Sequence, residues 1–294
     1  MAGPRLGPGA ERVATHIVIE QPFDLASTLE SGQAFRWRRE GQWYRGVIFD
    51  NLVLLRRHLL GVEFRCHPES EETLAPRLRD YLRLDDELAA IYDAINRDPV
   101  MADVLERYRG MRLLRQEPWE CLVAFICSAN SNIPRISATM ENMAQRLGGR
   151  LTYRGRDFFT FPTPEVLVAV GEAGLRALGL GFRAKYVAQA AAMVASGELA
   201  LEPLRSVPYQ QAKVALLNVP GVGDKVADCV LLFSLDKLEA FPIDRWVRRA
   251  LEDAYFGGKT LSYQDICVWA MEYYGPYAGY AQQYLFHGKR LGKG

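Results

Sequence analysis

The sequence predicts an α+β fold in which an antiparallel sheet domain precedes a larger, mainly α-helical domain. Three observations predict it. Residues 16–67 alternate apolar and polar side chains between short turn signals, the period-2 pattern of half-buried strands. From Glu71 to about Arg109 apolar residues recur at helical spacing, as in Leu74, Leu78, Tyr81 and Leu82, then Leu88, Ile91, Tyr92 and Ile95. From Pro118 the helical pattern runs nearly to the end, broken by short turns that mostly carry Gly or Pro. At 294 residues the chain can bury more than one core. The expected division is a sheet domain with trailing helices over residues 1–112 and a helical domain over 113–294.

Element by element, strands are expected at His16–Glu20, Gln33–Arg39, Trp43–Phe49, Leu52–Arg57 and Val62–Cys66. Glu40-Gly41 and Asp50-Asn51 supply hairpin turns between them. Glu117-Pro118-Trp119 opens a segment, Trp119–Ser128, apolar enough to be a buried helix. A second helix runs from about Pro134 to Leu147 and stops at Gly148-Gly149. Thr163-Pro164-Glu165 has the form of an N-cap with Pro at the first helical position. Helices are expected at Glu172–Leu178, Ala184–Ser196, Tyr209–Leu217, Gly223–Ser234, Asp244–Tyr255 and Ser262–Tyr274. No internal repeat or low-complexity tract stands out.

Bulk properties exclude several classes. The chain is 49% hydrophobic and 24% charged, and has no apolar run of about 18 residues that would span a membrane. The N-terminal MAGPRLGPGAER lacks the apolar region of a secretory signal and reads as a flexible tail, which points to the cytoplasm or nucleoid. Five scattered cysteines match no zinc or iron–sulfur spacing, and none of the four histidines is paired at ligand spacing, so no metal site is expected. A net charge of +1 permits a local basic face and gives no global sign of a nucleic-acid partner.

The most informative stretch is Asn218-Val-Pro-Gly-Val-Gly-Asp-Lys-Val-Ala-Asp-Cys229, with Asp244 following 19 residues after Lys225. Tyr209–Leu217, the Pro220–Gly223 turn and the helix from Asp224 form a helix–hairpin–helix over about 209–234. The free N–H groups at the start of such a helix hold anions, DNA phosphates among them. An ordinary inter-helix turn would carry the same Pro-Gly, so the motif alone leaves both readings open. Lys225 on the first turn opposes the helix dipole, a placement that makes sense where dipole and apolar surroundings push the amine towards its neutral, nucleophilic form. Such an amine can attack C1′ of a deoxyribose. Asp244 is placed as an N-cap, and a carboxylate held there can also stabilise positive charge developing on a sugar.

These residues resemble the helix–hairpin–helix glycosylases (HhH-GPD), and more narrowly the 8-oxoguanine DNA glycosylase/AP lyase family. Beside Pro220–Cys229 and Pro242-Ile-Asp244, four further segments match in order: Ser31-Gly-Gln-Ala-Phe-Arg-Trp37, Phe125–Arg135, Leu178–Tyr186 and Gly275–Phe286. The resemblance implies a bifunctional enzyme that flips 8-oxoguanine out of duplex DNA, cuts the glycosidic bond through a lysine Schiff base and goes on to β-elimination. Carried onto this chain, Lys225 is the nucleophile and Asp244 its electrostatic partner. Gly32 offers a carbonyl to the N7 hydrogen that guanine lacks, Gln282 meets the Watson–Crick edge, and Cys229 and Phe286 sandwich the base. Asn130 enters the gap left by the flipped nucleotide, Arg135 and Arg183 bind the opposite cytosine, and Phe182 wedges beside it. The turn of Val219, Gly221 and Gly223 holds a phosphate, with a structural cation on its carbonyls as an added possibility. No cofactor and no iron–sulfur cluster is implied, and the enzyme is expected to be a monomer.

The chain departs from the animal members at Ser131, where they carry Asn, at Trp246, where they carry a phosphate-touching histidine, and at Pro134 before Arg135. Trp246 looks more like the bacterial members. Two rivals are weighed against this reading. An alkylated-base glycosylase of the same superfamily has no lysine at the nucleophile position, and a non-catalytic helix–hairpin–helix module has no use for Lys225 with Asp244, or for Gly32 with Gln282.

Overall fold

A computed structural model describes residues 15–292, so the expectation for the N-terminal tail lies outside the described residues. Strands β1 (Thr15–Val18), β2 (Arg38–Glu40), β3 (Trp43–Ile48), β4 (Asn51–His58) and β5 (Gly61–His67) form one antiparallel sheet in the order β1-β5-β4-β3-β2. The alternation seen in sequence aims Val53, Leu55, Val62 and Phe64 at one core, which helix α2 (Glu71–Tyr81) closes with Leu74 and Leu78. Ser70 caps α2 by accepting from Thr73 N–H at 3.2 Å.

Two local expectations fail here and one short helix is new, each for a physical reason. The run Gln33–Arg39 pairs only from Arg38, because a buried glutamine takes the place of a ladder. Gln33 Nε2 donates to the carbonyls of Thr28 and Arg112, both at 2.9 Å, and Oε1 accepts from Leu114 N–H at 2.7 Å. That satisfied side chain holds residues 31–37 as a folded loop. Before it stands a short helix absent from the sequence reading, α1 (Leu25–Glu30), capped by Asp24 accepting from Ala26 N–H at 3.1 Å. The β3–β4 turn is centred one residue earlier than expected, on Phe49 and Asp50 with φ of 51° and 57°. Two successive positive φ values make the turn whose twist suits a hairpin.

The helical part comprises α3 (Leu88–Ile95), α4 (Pro99–Arg107), α5 (Pro118–Cys127), α6 (Ile133–Leu147), α7 (Pro164–Leu175), α8 (Arg183–Ala195), α9 (Tyr209–Leu217), α10 (Asp224–Ser234), α11 (Arg245–Ala254), α12 (Tyr263–Tyr274) and α13 (Ala278–Leu291). The expected α+β order is therefore borne out. Eight of the ten residues of α5 are buried, which makes it the central rod against which α6, α8 and α10 pack. Each fully buried Leu, Ile or Phe on such a rod contributes about 1.5–3 kcal/mol. Helices α3 and α4 send Leu88, Ile91, Ile95 and Met101 into this second core and not into the sheet core.

Elsewhere in the helical part the details shift. Thr163 holds the cap position of α7 with no side-chain cap bond, and α7 bends at Gly171 (φ 64°) before a wide turn over 176–180. The expected helix at Glu172–Leu178 is thus split between the end of α7 and that turn. A two-stranded hairpin, β6 (Arg150–Tyr153) with β7 (Arg156–Phe159), was not foreseen; its Phe158 packs on Val47 and Leu52 of the sheet. Among the described residues no helix is long and apolar enough to cross a membrane.

Candidate active site

A cavity of about 580 Å³ opens where the loop after α1, the C-terminal end of α5, the starts of α10 and α11 and the middle of α13 converge. Eight of the residues singled out from sequence line it: Gly32, Asn130, Lys225, Cys229, Asp244, Trp246, Gln282 and Phe286. They come from segments as far apart in the chain as Gly32 and Phe286.

Helical periodicity explains much of this convergence. On α10, Lys225, Cys229 and Phe233 recur at i, i+4 and i+8 and share the cavity face. On α13, Gln282, Phe286 and Arg290 do the same from the opposite wall. Lys225 Nζ donates to Ser128 Oγ at 3.2 Å and stands 5.1 Å from the centre of the Phe125 ring. Ser128 in turn donates to the carbonyl of Phe125 at 2.7 Å, which fixes the hydroxyl at the end of α5. Asp244 caps α11, its Oδ1 accepting from Trp246 and Val247 N–H, both at 2.9 Å. The expected N-cap is therefore present, and the same residue lines the cavity.

Gly32 has φ +84°, and a Cβ there would come within 2.7 Å of Ile133 Cδ1 and 3.4 Å of Phe286 Cε1. Only glycine accepts both the left-handed backbone and the crowding. Gln282 is buried, and its Oε1 has no hydrogen-bond partner, an uncommon state for a buried amide oxygen and one that a ligand would relieve. Burial pushes the Cys229 thiol up to about 12, so it is a neutral packing surface and not a second nucleophile.

The remaining six predicted residues lie outside the cavity wall. Val219 is buried at the hairpin while Gly221 and Gly223 are exposed; Val222 N–H donates to the Val219 carbonyl at 3.0 Å. Gly221 has φ +84° and rides on the Tyr186 ring, whose Cγ would lie 2.4 Å from an added Cβ. Arg135 and Phe182 are exposed, Phe182 at 50%. Arg183 is placed differently from its expected role at an opposite base. It is 5% exposed, and its guanidinium donates to the carbonyls of Ala129 (2.8 Å from Nε) and Asn130 (2.9 Å from Nη2). As folded, Arg183 clamps the turn on which Asn130 sits at φ 49°.

Sequence reasoning assigned nothing to Ser128, Phe125, Gln283 or Arg290. Ser128 and Phe125 lie inside a segment singled out for other residues, so a signal existed. Arg290, 5.8 Å over the Phe286 ring and donating to the Glu30 carbonyl at 2.6 Å, follows from α13, whose helical character was not specified.

Residues 16–122 match the 8-oxoguanine DNA glycosylase N-terminal domain, and residues 123–267 match the HhH-GPD superfamily of base excision DNA repair proteins. The N-glycosylase/DNA lyase OGG1 of Arabidopsis thaliana is 36% identical over 92% of this chain and 78% of its own length. A probable N-glycosylase/DNA lyase of Methanothermobacter thermautotrophicus is 31% identical, covering 92% of this chain and 95% of its own. Among solved structures, the 8-oxoguanine glycosylase/lyase of Clostridium acetobutylicum in complex with duplex DNA containing cytosine opposite 8-oxoguanine superposes with a TM-score of 0.87. It is 34% identical, with 92% of each chain covered. With both domains matched in order and the cavity built from their junction, the chain belongs to the 8-oxoguanine DNA glycosylase family, the bifunctional N-glycosylase/DNA lyases of the HhH-GPD superfamily.

Proposed function

We propose that this protein acts as a monomer on duplex DNA, flips 8-oxoguanine from opposite cytosine into the cavity and excises it through a Schiff base on Lys225. The observation that carries the reading is the shared cavity: Lys225 and Asp244 face the same space as Gly32, Gln282, Cys229 and Phe286. In the proposed reaction the Lys225 amine attacks C1′ as the C1′–N9 bond breaks and the base leaves with the bonding electrons. Asp244 stabilises the positive charge that builds on the sugar. Loss of a proton from nitrogen and opening of the ring give the protonated Schiff base. Removal of a C2′ proton then breaks the C3′–O bond and releases the 3′ phosphate. Ser128, which receives a hydrogen bond from Lys225, steers the amine before substrate enters.

Recognition is assigned to the far wall. The unpartnered Gln282 amide oxygen suits a base edge with donors, and the Gly32 carbonyl suits the N7 hydrogen that guanine lacks. A carbonyl left unpaired in a dry site penalises the wrong base by about 1–3 kcal/mol. Cys229 and Phe286 supply the two stacking faces. Asn130, Arg135 and Phe182 serve the opposite strand, with Arg183 holding the Asn130 turn. Trp246 contacts the DNA backbone beside the cavity mouth. The hairpin of Val219, Gly221 and Gly223 takes a phosphate on its N–H groups. Its carbonyl oxygens are hard donors that suit a cation such as Mg²⁺ or Ca²⁺, which would add charge towards that phosphate; the chemistry needs no cofactor.

Borohydride trapping tests this. A duplex carrying 8-oxoguanine opposite cytosine should give a covalent adduct that disappears in Lys225→Gln. Absence of any adduct with the wild-type protein would sink the lyase mechanism.

A further inference from the structure

Beneath the cavity lies a buried polar network that the reaction as described does not use. Asp228 on α10 is fully buried, three residues after Lys225 and next to Cys229. Its carboxylate accepts from Tyr209 OH at 2.7 Å, from Lys213 Nζ at 3.0 Å and from Tyr263 OH at 2.7 Å. Lys213 and Tyr209 belong to α9, so two of these bonds tie the helices of the hairpin motif together. The third does something else. Tyr263 begins α12, and its hydroxyl, while donating to Asp228, also accepts from Ile243 N–H at 3.4 Å. Ile243 is the residue immediately before Asp244.

We propose that Tyr263 is a positioning residue for the reaction: its hydroxyl bridges the nucleophile helix to the irregular segment that delivers Asp244, and so sets the separation of Lys225 and Asp244. The proposal rests on the reading of those two residues given above. The geometry favours a bridge over a simple packing contact, because α12 holds the same segment at one more point and the loop before α12 holds the helix that the segment leads into. Cys267 Sγ lies 3.8 Å from the Phe241 carbonyl, and Arg248 of α11 donates to the Leu261 carbonyl at 2.7 Å. Residues 241–244 form no regular element; Phe241 and Ile243 anchor the segment by burial, and the Tyr263 hydroxyl adds a polar tie from its backbone to the Asp228 carboxylate of α10. The Lys213 ammonium, 5.4 Å from the centre of the Tyr263 ring, completes the charge balance of the buried carboxylate and holds the ring in place.

The test compares Tyr263→Phe with Tyr209→Phe. Both remove a hydroxyl from the same buried carboxylate, but Tyr209 stands at the end of α9 away from the hairpin, and its hydroxyl bonds to Asp228 and Lys213 where that of Tyr263 reaches Ile243. Three quantities are measured below both melting temperatures: single-turnover excision from the 8-oxoguanine duplex, borohydride trapping on a preformed abasic duplex, and affinity for the uncut duplex. Tyr263→Phe is expected to slow both chemical readouts by about 10- to 100-fold, while affinity stays within about twofold. Tyr209→Phe is expected to keep the wild-type rates. Wild-type rates in Tyr263→Phe, an equal loss in Tyr209→Phe, or a loss that appears in affinity alone would each overturn the proposal. A wild-type protein that traps no adduct overturns the Lys225 reading, and this proposal with it, so the wild-type lane tells the two failures apart.

Discussion

Asp244 shows how one residue serves two ends. Its Oδ1 accepts two backbone N–H bonds at the start of α11, while the carboxylate lines the cavity beside Lys225. Asn and Asp are equally good N-caps, so the roles can be separated. Asp244→Asn is expected to leave stability within about 0.5 kcal/mol, whereas Asp244→Ala loses about 1 kcal/mol; calorimetry distinguishes them. Both should lower single-turnover excision by about 100-fold, since both remove the charge. Equal activity in Asp244→Asn and wild type would confine Asp244 to capping. Much of this residue-level chemistry was legible, because Lys225 and Asp244 carry signals in their own neighbours: a Pro-Gly turn, a helix start, a Pro-Ile-Asp cap. Gly32 and Gln282 carried no such local signal and were found only through resemblance. The inward turn of Arg183 was not legible at all. Its partners are the carbonyls of Ala129 and Asn130, more than 50 positions away, and no local pattern announces a carbonyl acceptor.

At the scale of elements, the hairpin between α9 and α10 depends on a backbone that only glycine adopts without cost. Gly221 combines φ +84° with the face of Tyr186, so Ala there meets both strain and a clash. Gly221→Ala is expected to destabilise by about 2 kcal/mol or more and to weaken duplex binding by about tenfold at fixed salt. Fluorescence anisotropy at several salt concentrations checks it; unchanged affinity would remove the hairpin from the DNA interface. Helix α10 was read correctly because the Pro220–Gly223 turn marks its start, although every residue from Val226 to Ser234 is buried and no apolar stripe stands out. The 3.6-residue period then predicts that Lys225 and Cys229 share a face. Elements whose stability comes from distant partners escaped: α1 is short and tied to Gly110 and Arg112 through the Asp24 N–H and the Thr28 hydroxyl, the β6–β7 hairpin leans on the sheet through Phe158, and residues 31–37 are organised by Gln33, which bonds Arg112 and Leu114.

Across the whole molecule, the sheet and the helical part are joined by polar contacts as well as packing. Glu117, at the start of α5, accepts from Phe49 N–H at 2.8 Å in the β3–β4 turn. Burial pushes this carboxyl up to about 7 from the usual 4.5, partly opposed by that N–H. A carboxyl raised on folding favours the protonated folded form. Its cost to stability is therefore absent below the unfolded value, grows as pH climbs towards about 7 and is constant above it. Glu117→Gln keeps an acceptor for Phe49 and removes the charge. It is expected to raise the melting temperature at about pH 8 and to leave it nearly unchanged at about pH 4. A shift of equal size at both values would deny that Glu117 titrates as described.

By itself the sequence determined the fold class and marked the hairpin turn with Lys225 and the helix start at Asp244, because each is encoded by spacing within a few turns of chain. Tertiary structure alone decided the cavity and the registry of its walls. Gly32 and Gln282 meet Lys225 only after α5 is buried as the central rod, Gln33 has folded the loop after α1, and α12 has bracketed the segment before Asp244. The physical reason is reach. Periodicity and caps act over about 3.6 residues per turn, whereas an active site is assembled by burial and hydrogen bonds that ignore distance along the chain.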